Sequence, residues 1–248
     1  MTKIWIFGDS YAADEIKESK SWTKYVWDEF PEYDWENLAV PSSSLDYLYY
    51  IYEQKRLNFD TGDIVIITLT TLERIFLRYR TKSNRPRFMT VNQITPAKND
   101  DKPNPMERKP QEFFLGDTFN IEAHGAMMNV FLNALQYDAL TRNLKVIVIP
   151  IGCDRFLNRK NKENISIAIT GYEAGSADAG LTGVTKRQME SAFDLKGKFW
   201  FEVEECQKQD FKNANHLSPE NNKILANKVI RNIHTNEAID LTTEWVYK

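Results

Sequence analysis

Four residues near the start of the chain, Ile4-Trp5-Ile6-Phe7, are apolar without a polar alternation and end on Gly8-Asp9-Ser10. Such a run reads as a strand buried on both faces, which a parallel sheet covered by helices provides. Small polar residues straight after it suit a sharp turn at the strand's carboxyl end. In an open α/β sheet that edge is where ligand crevices form. A serine placed there can offer its hydroxyl as a nucleophile and its backbone N–H to a developing oxyanion. The same three residues also make a plain turn leading into a capped helix. Ser10 therefore needs partners elsewhere in the chain before it implies chemistry.

The rest of the chain repeats the strand-then-helix pattern. Ser19 or Ser21 can cap a helix whose one face carries Trp22, Tyr25, Val26 and Phe30, with Pro31 ending it. A second strand is expected over 35–40, and Ser42-Ser43-Ser44 opens a helix through Leu45, Leu48, Tyr49, Ile51 and Tyr52. Ile64-Val65-Ile66-Ile67-Thr68-Leu69 is the strongest candidate for a central strand. Residues 119–140 return to helical spacing, with Met127, Met128, Val130, Phe131, Leu132 and Leu135 expected mostly in the core, and Val146-Ile147-Val148-Ile149-Pro150 follows as a buried strand. A short helix over 185–193, a last strand over 199–203 and a closing helix over 219–233 complete the expectation. Two stretches break the rhythm. Residues 78–117 carry Pro86, Pro96, Pro103, Pro105 and Pro110, and residues 153–183 carry Gly171, Gly175, Gly180 and Gly183. Loops of such length inside a compact domain are unusual and often functional. The pattern predicts an α/β fold over 1–248, a doubly wound parallel sheet in one domain with two long irregular inserts.

Composition excludes several classes. A net charge of −3 from 32 basic and 35 acidic residues leaves no electrostatic footprint for nucleic acid. No run approaches the ~18 apolar residues that span a bilayer. The run Ile4–Phe7 is shorter than the ~7–15 residues of a secretory signal core, and cleavage there would remove the proposed site. Two cysteines, Cys153 and Cys206, are too few for a disulfide framework or a zinc cluster. The expected setting is the cytoplasm in which the protein is made.

A serine nucleophile needs a base, and the chain holds three histidines: His124, His216 and His234. His124 opens a helix beside Gly125, and His234 falls in the last turn of the closing helix, where a cation suits the macrodipole. His216 stands in the polar loop Asp210-Phe211-Lys212-Asn213-Ala214-Asn215-His216, just before the closing helix. In a doubly wound sheet that loop lies on the same carboxyl edge as Ser10. His216 is thus the candidate general base, oriented by Asp210, Asn213 or a backbone carbonyl.

Gly8-Asp9-Ser10 after the first strand, with a histidine loop before the last helix, resembles the SGNH/GDSL hydrolases. The resemblance covers most of the chain and implies a flavodoxin-like three-layer α/β/α sandwich. It also implies an esterase, lipase or carbohydrate deacetylase that works without metal or cofactor. Asn37-Leu38-Ala39-Val40-Pro41-Ser42 resembles the family's second block, with Ser42 where a glycine N–H joins the oxyanion hole. Thr70-Thr71-Leu72-Glu73 occupies the place of the third block, Gly-x-Asn-Asp, so Leu72 replaces the asparagine donor. An oxyanion donor would then come from Thr70, Thr71 or Arg74, beside the N–H groups of Ser10 and Ser42. Losing one such donor costs roughly 10²–10³ in rate. Asn213 stands at the aspartate position of Asp-x-x-His, and Asp210 is the acidic substitute nearby. Thr-Thr-x-Glu-Arg at 70–74 and Asn-His-Leu-Ser at 215–218 resemble a divergent branch encoded by tailed bacteriophages.

Two functional expectations follow. One is a serine esterase or O-deacetylase acting on a small-molecule or glycan ester. The other is a catalytically impaired relative serving as a structural or glycan-binding part of a larger assembly such as a virion, with the two inserts as its contact surfaces.

Overall fold

The computed structural model describes residues 1–9, 11–13, 20–41, 43–70, 74–77, 87–90, 121–150, 157, 165–169, 219–241 and 244. In chain order the elements are β1 (Lys3–Phe7), α1 (Trp22–Glu29), β2 (Asp34–Asn37), α2 (Leu45–Lys55) with a 3-10 turn at Arg56–Asn58, and β3 (Ile64–Leu69). Next come β4 (Arg74–Leu77), β5 (Arg87–Thr90), α3 (Ile121–Arg142), β6 (Lys145–Pro150), β7 (Ile165–Ile167) and α4 (Pro219–Thr235). Five strands form one sheet in the order β2-β1-β3-β6-β7, and every pairing in it is parallel. This is the flavodoxin order of a doubly wound sheet, in which the chain reverses its direction of travel between β1 and β3.

The apolar runs explain the layering. Successive side chains on a strand point to opposite faces, so a strand covered on both sides must be apolar at every position. Ile4 and Ile6 of β1 join Ile64, Ile66, Ile147 and Ile149 on one face, under Trp22 and Val26 of α1 and Leu225 and Val229 of α4. Trp5 and Phe7 join Val65, Ile67, Val146 and Val148 on the other, under Leu48 and Tyr52 of α2 and Phe131 and Leu135 of α3. The four strands expected from sequence are parallel neighbours in the predicted sheet.

Polar ties close the layers. Asp138 of α3 is buried, takes two guanidinium bonds from Arg56 (2.9 and 2.8 Å) and accepts from the Tyr52 hydroxyl, joining α3 to α2. Burial, then the Asp138 carboxylate, pushes the Tyr52 phenol far above its ordinary range. At the amino edge of the sheet, buried Asp63 accepts from the Lys3 N–H (2.9 Å) and the Trp5 indole (2.8 Å). Lys145 at the start of β6 donates to the Ile233 carbonyl (2.8 Å) and Asn236 Oδ1 (2.7 Å), a cation at the carboxyl end of α4. His234 lies in that last turn, 3.9 Å from Glu29 and against the Phe30 ring.

Several expectations need correction. The fifth strand of the sheet is β7, which lies inside 153–183, so that stretch is not wholly irregular. Likewise β5, inside 78–117, pairs antiparallel with β4. Val130 is 59% exposed rather than core. The second strand runs over Asp34–Asn37 and stops short of Val40, because Asn37 Oδ1 turns back to accept the Ala39 N–H (3.0 Å). The helix expected over 185–193 and the strand over 199–203 lie outside the described residues.

Candidate active site

The carboxyl ends of β1, β2 and β3 converge on the segment that carries Gly-Asp-Ser. At Gly8 φ is +155°, and a Cβ there would stand 1.8 Å from Thr68 Oγ1 of β3, so only glycine lets the two strands approach. The Gly8 carbonyl accepts from the Val40 N–H (3.0 Å) and the Ser43 hydroxyl (2.9 Å), which seats the turn after β2 against the end of β1.

Asp9 is fully buried and works in two directions. Its Oδ1 accepts the Tyr11 N–H (3.1 Å), and its carbonyl accepts the N–H groups of Ala12 and Ala13, both at 3.0 Å. That is the geometry of a residue capping a helical turn. Its Oδ2 accepts the Thr70 hydroxyl (3.0 Å) from the end of β3. The Asp9–Thr70 bond therefore spans the ends of β1 and β3, the switch point of the sheet, where doubly wound folds bind ligands.

Two further contacts tie this turn to α4. The Trp22 indole donates to the Tyr11 carbonyl (2.6 Å), and the Trp22 N–H donates to Asn222 Oδ1 (3.0 Å) in the first turn of α4. The segment following Ser10 and the entry of the helix that follows His216 are thus bridged through one residue. Asn37 Nδ2 adds a bond to the Ala12 carbonyl (2.8 Å).

Of the residues expected at the site, Thr70 is described with its side chain, and Arg74 opens β4 opposite Thr90 of β5. Thr70 is buried, and its hydroxyl proton lies on Asp9. Ser10, Ser42, Thr71, Asp210, Asn213 and His216 lie outside the described residues. Sequence reasoning missed the roles of Asp9, Thr68, Trp22 and Asn222. The one local signal was Asp9 itself, a helix-capping residue directly after a buried strand.

No protein-family model matches the chain, and no curated protein does. Among solved structures the chain is similar to a protein assigned to the lipolytic G-D-S-L family from Desulfitobacterium hafniense. The identity is 14% and the TM-score 0.48, over 93% of this chain and 99% of that one. It is also similar to a member of the lipolytic G-D-S-L family from Veillonella parvula, at 11% identity and a TM-score of 0.42, over 95% and 98% of the two chains. The chain is a doubly wound α/β protein of flavodoxin strand order with a clamped turn at its switch point. Among the described residues no helix is long and apolar enough to cross a membrane.

Proposed function

We propose that the protein is a serine ester hydrolase with Ser10 as nucleophile and His216 as general base. The observation that supports this most is the Asp9–Thr70 bond across the switch point, which fixes the residue before Ser10 in the place where this fold builds its crevices. The bridge from Tyr11 through Trp22 to Asn222 supports a base supplied from the loop before α4.

In the proposed reaction Ser10 Oγ attacks the ester carbonyl carbon while its proton passes to His216. The carbonyl oxygen becomes an oxyanion facing the N–H groups of Ser10 and Ser42. Because the Thr70 proton is engaged by Asp9, Thr71 is the hydroxyl left to assist from β3's end. His216 then gives the proton to the leaving alcohol, and the acyl group remains on Ser10. Water, deprotonated by His216, attacks the acyl carbon and releases the carboxylic acid with Ser10 restored. Asp210 or Asn213 orients the imidazole. The substrate class is a short acyl ester, including an O-acetyl group on a sugar.

The test is hydrolysis of an aryl acetate by the full chain. Activity above background is expected, abolished by Ser10→Ala and almost as fully by His216→Ala, since members of one catalytic unit are not additive. A folded wild type with no turnover would favour the impaired, structural reading. Activity surviving Ser10→Ala would place the chemistry elsewhere.

A further inference from the structure

The segment after β1 and the segment after β2 are tied together on both sides of Ser10 and of Ser42. On the β1 side two carbonyls accept the ties: Gly8, two residues before Ser10, and Ala12, two residues after it. The Gly8 carbonyl takes the Val40 N–H (3.0 Å) and the Ser43 hydroxyl (2.9 Å), donors that flank Ser42 in the sequence. The Ala12 carbonyl takes Nδ2 of Asn37 (2.8 Å), the last residue of β2.

Asn37 differs from the other ties because one side chain serves both segments. Its backbone is paired in register with Ile6 of β1, so the sheet fixes where the side chain starts. Oδ1 accepts the Ala39 N–H (3.0 Å), a local turn of the kind asparagine commonly makes at the end of a strand. The Nδ2 bond is not local, since it crosses 25 positions of sequence to Ala12. An amide carries its donor and its acceptor on one planar group. The two bonds together therefore hold the segment that leads to Ser42 at a set distance from the segment that follows Ser10.

We propose that Asn37 is a positioning residue for ester hydrolysis, its amide setting the spacing of the two turns whose N–H groups, at Ser10 and Ser42, receive the oxyanion. The role rests on the ester-hydrolase reading and adds to it the group that keeps the two donors in register. Oxyanion donors work only at hydrogen-bond distance from the developing charge. A misplacement of about 1 Å costs on the order of a hundredfold in rate. Asn37 acts through the two turns and not on the substrate.

Steady-state hydrolysis of an aryl acetate by the full chain and three variants tests this. Asn37→Ala removes both bonds and should lower kcat about tenfold to a hundredfold. Formation and breakdown of the acyl-enzyme both pass through an oxyanion, so both should slow together and leave KM within about twofold of wild type. Asn37→Asp keeps the shape and the acceptor for Ala39 but has no donor for the Ala12 carbonyl, and it should lose about tenfold or more in kcat. This isosteric variant carries the test if Asn37→Ala does not fold. Glu36→Gln is the control, since it weakens the ion pairs of the same strand one residue away and should leave kcat unchanged. Urea midpoints establish that each variant is folded at the assay temperature. Asn37→Asp with the kcat of wild type, or Glu36→Gln losing as much as Asn37→Asp, overturns the role of Asn37 and leaves the hydrolase reading in place. A folded wild type with no turnover overturns both.

Discussion

A methyl group on Gly8 would meet Thr68 Oγ1 at 1.8 Å and Thr68 Cβ at 3.0 Å, in a backbone conformation that side chains rarely adopt. Neither atom can retreat, because Thr68 is itself buried in the central strand. Gly8→Ala should therefore destabilise the protein by about 3 kcal/mol, read as a shift in the urea midpoint. Adding Thr68→Ala should recover part of that loss, since the two sites share one contact. An unchanged midpoint for Gly8→Ala would mean that β1 and β3 do not meet in this way. Thr70 is the second telling residue. Thr70→Val keeps the shape but removes the hydroxyl from Asp9, which should cost about 1–2 kcal/mol of stability. It should also lower ester hydrolysis by roughly tenfold to a hundredfold through displacement of the turn that holds Ser10. Thr70→Ser should restore both. A rate that is untouched in Thr70→Val, measured well below its melting temperature, would reduce Thr70 to a structural role.

Elements differed in how openly the sequence declared them. β1, β3 and β6 were legible because a strand covered on both faces has no polar position to disguise it, and they are parallel neighbours as expected. β7 was not, since Ile165-Ser166-Ile167 is a three-residue strand inside a glycine-rich stretch and takes its identity from pairing with β6. α3 was legible as a helix but its orientation was not, because apolar residues on every side leave no moment to mark the buried face. β2 was read one residue late and too long. It is an edge strand of the described sheet with no fully buried position, laddered to β1 with Trp35 against the core, and Glu36 helps hold it through pairs with Lys3 (2.6 Å) and Lys55 (2.7 Å). Burial raises the Glu36 pKa, but the bonds from Lys3 and Lys55 outweigh it and hold the carboxyl below its ordinary value of 4.5. The folded state thus binds that proton less readily than the unfolded chain. The pairing's contribution is complete above about 4.5 and is lost as pH falls through the lower, folded value. Unfolding free energy should decline with acid in that window, and Glu36→Gln should flatten the decline. An identical acid profile for Glu36→Gln would show that the pairs do not hold β2.

At the scale of the whole molecule, the site and the sheet are one problem. A chain that winds outward from β1 to β2 and then crosses to β3 leaves a crevice between the ends of β1 and β3, and Gly8, Asp9 and Thr70 occupy those ends. The sequence signalled this place through Gly-Asp-Ser after a buried strand. It could not signal that the Asp9 carboxylate clasps β3, because that contact joins residues 61 positions apart and depends on the strand order. Nor could it show that Trp22 and Asn222 carry the link from Tyr11 to α4, a bond between residues 200 positions apart. The proposed function requires a Ser10 activated at this edge. A fluorophosphonate probe phosphonylates a serine whose hydroxyl is deprotonated by a base, and mass mapping of the digested protein identifies which serine it is. One label per chain is expected, on Ser10, lost in Ser10→Ala and strongly slowed in His216→Ala. Absence of label on Ser10 in the folded wild-type protein, or labelling of another serine that persists in Ser10→Ala, would contradict it.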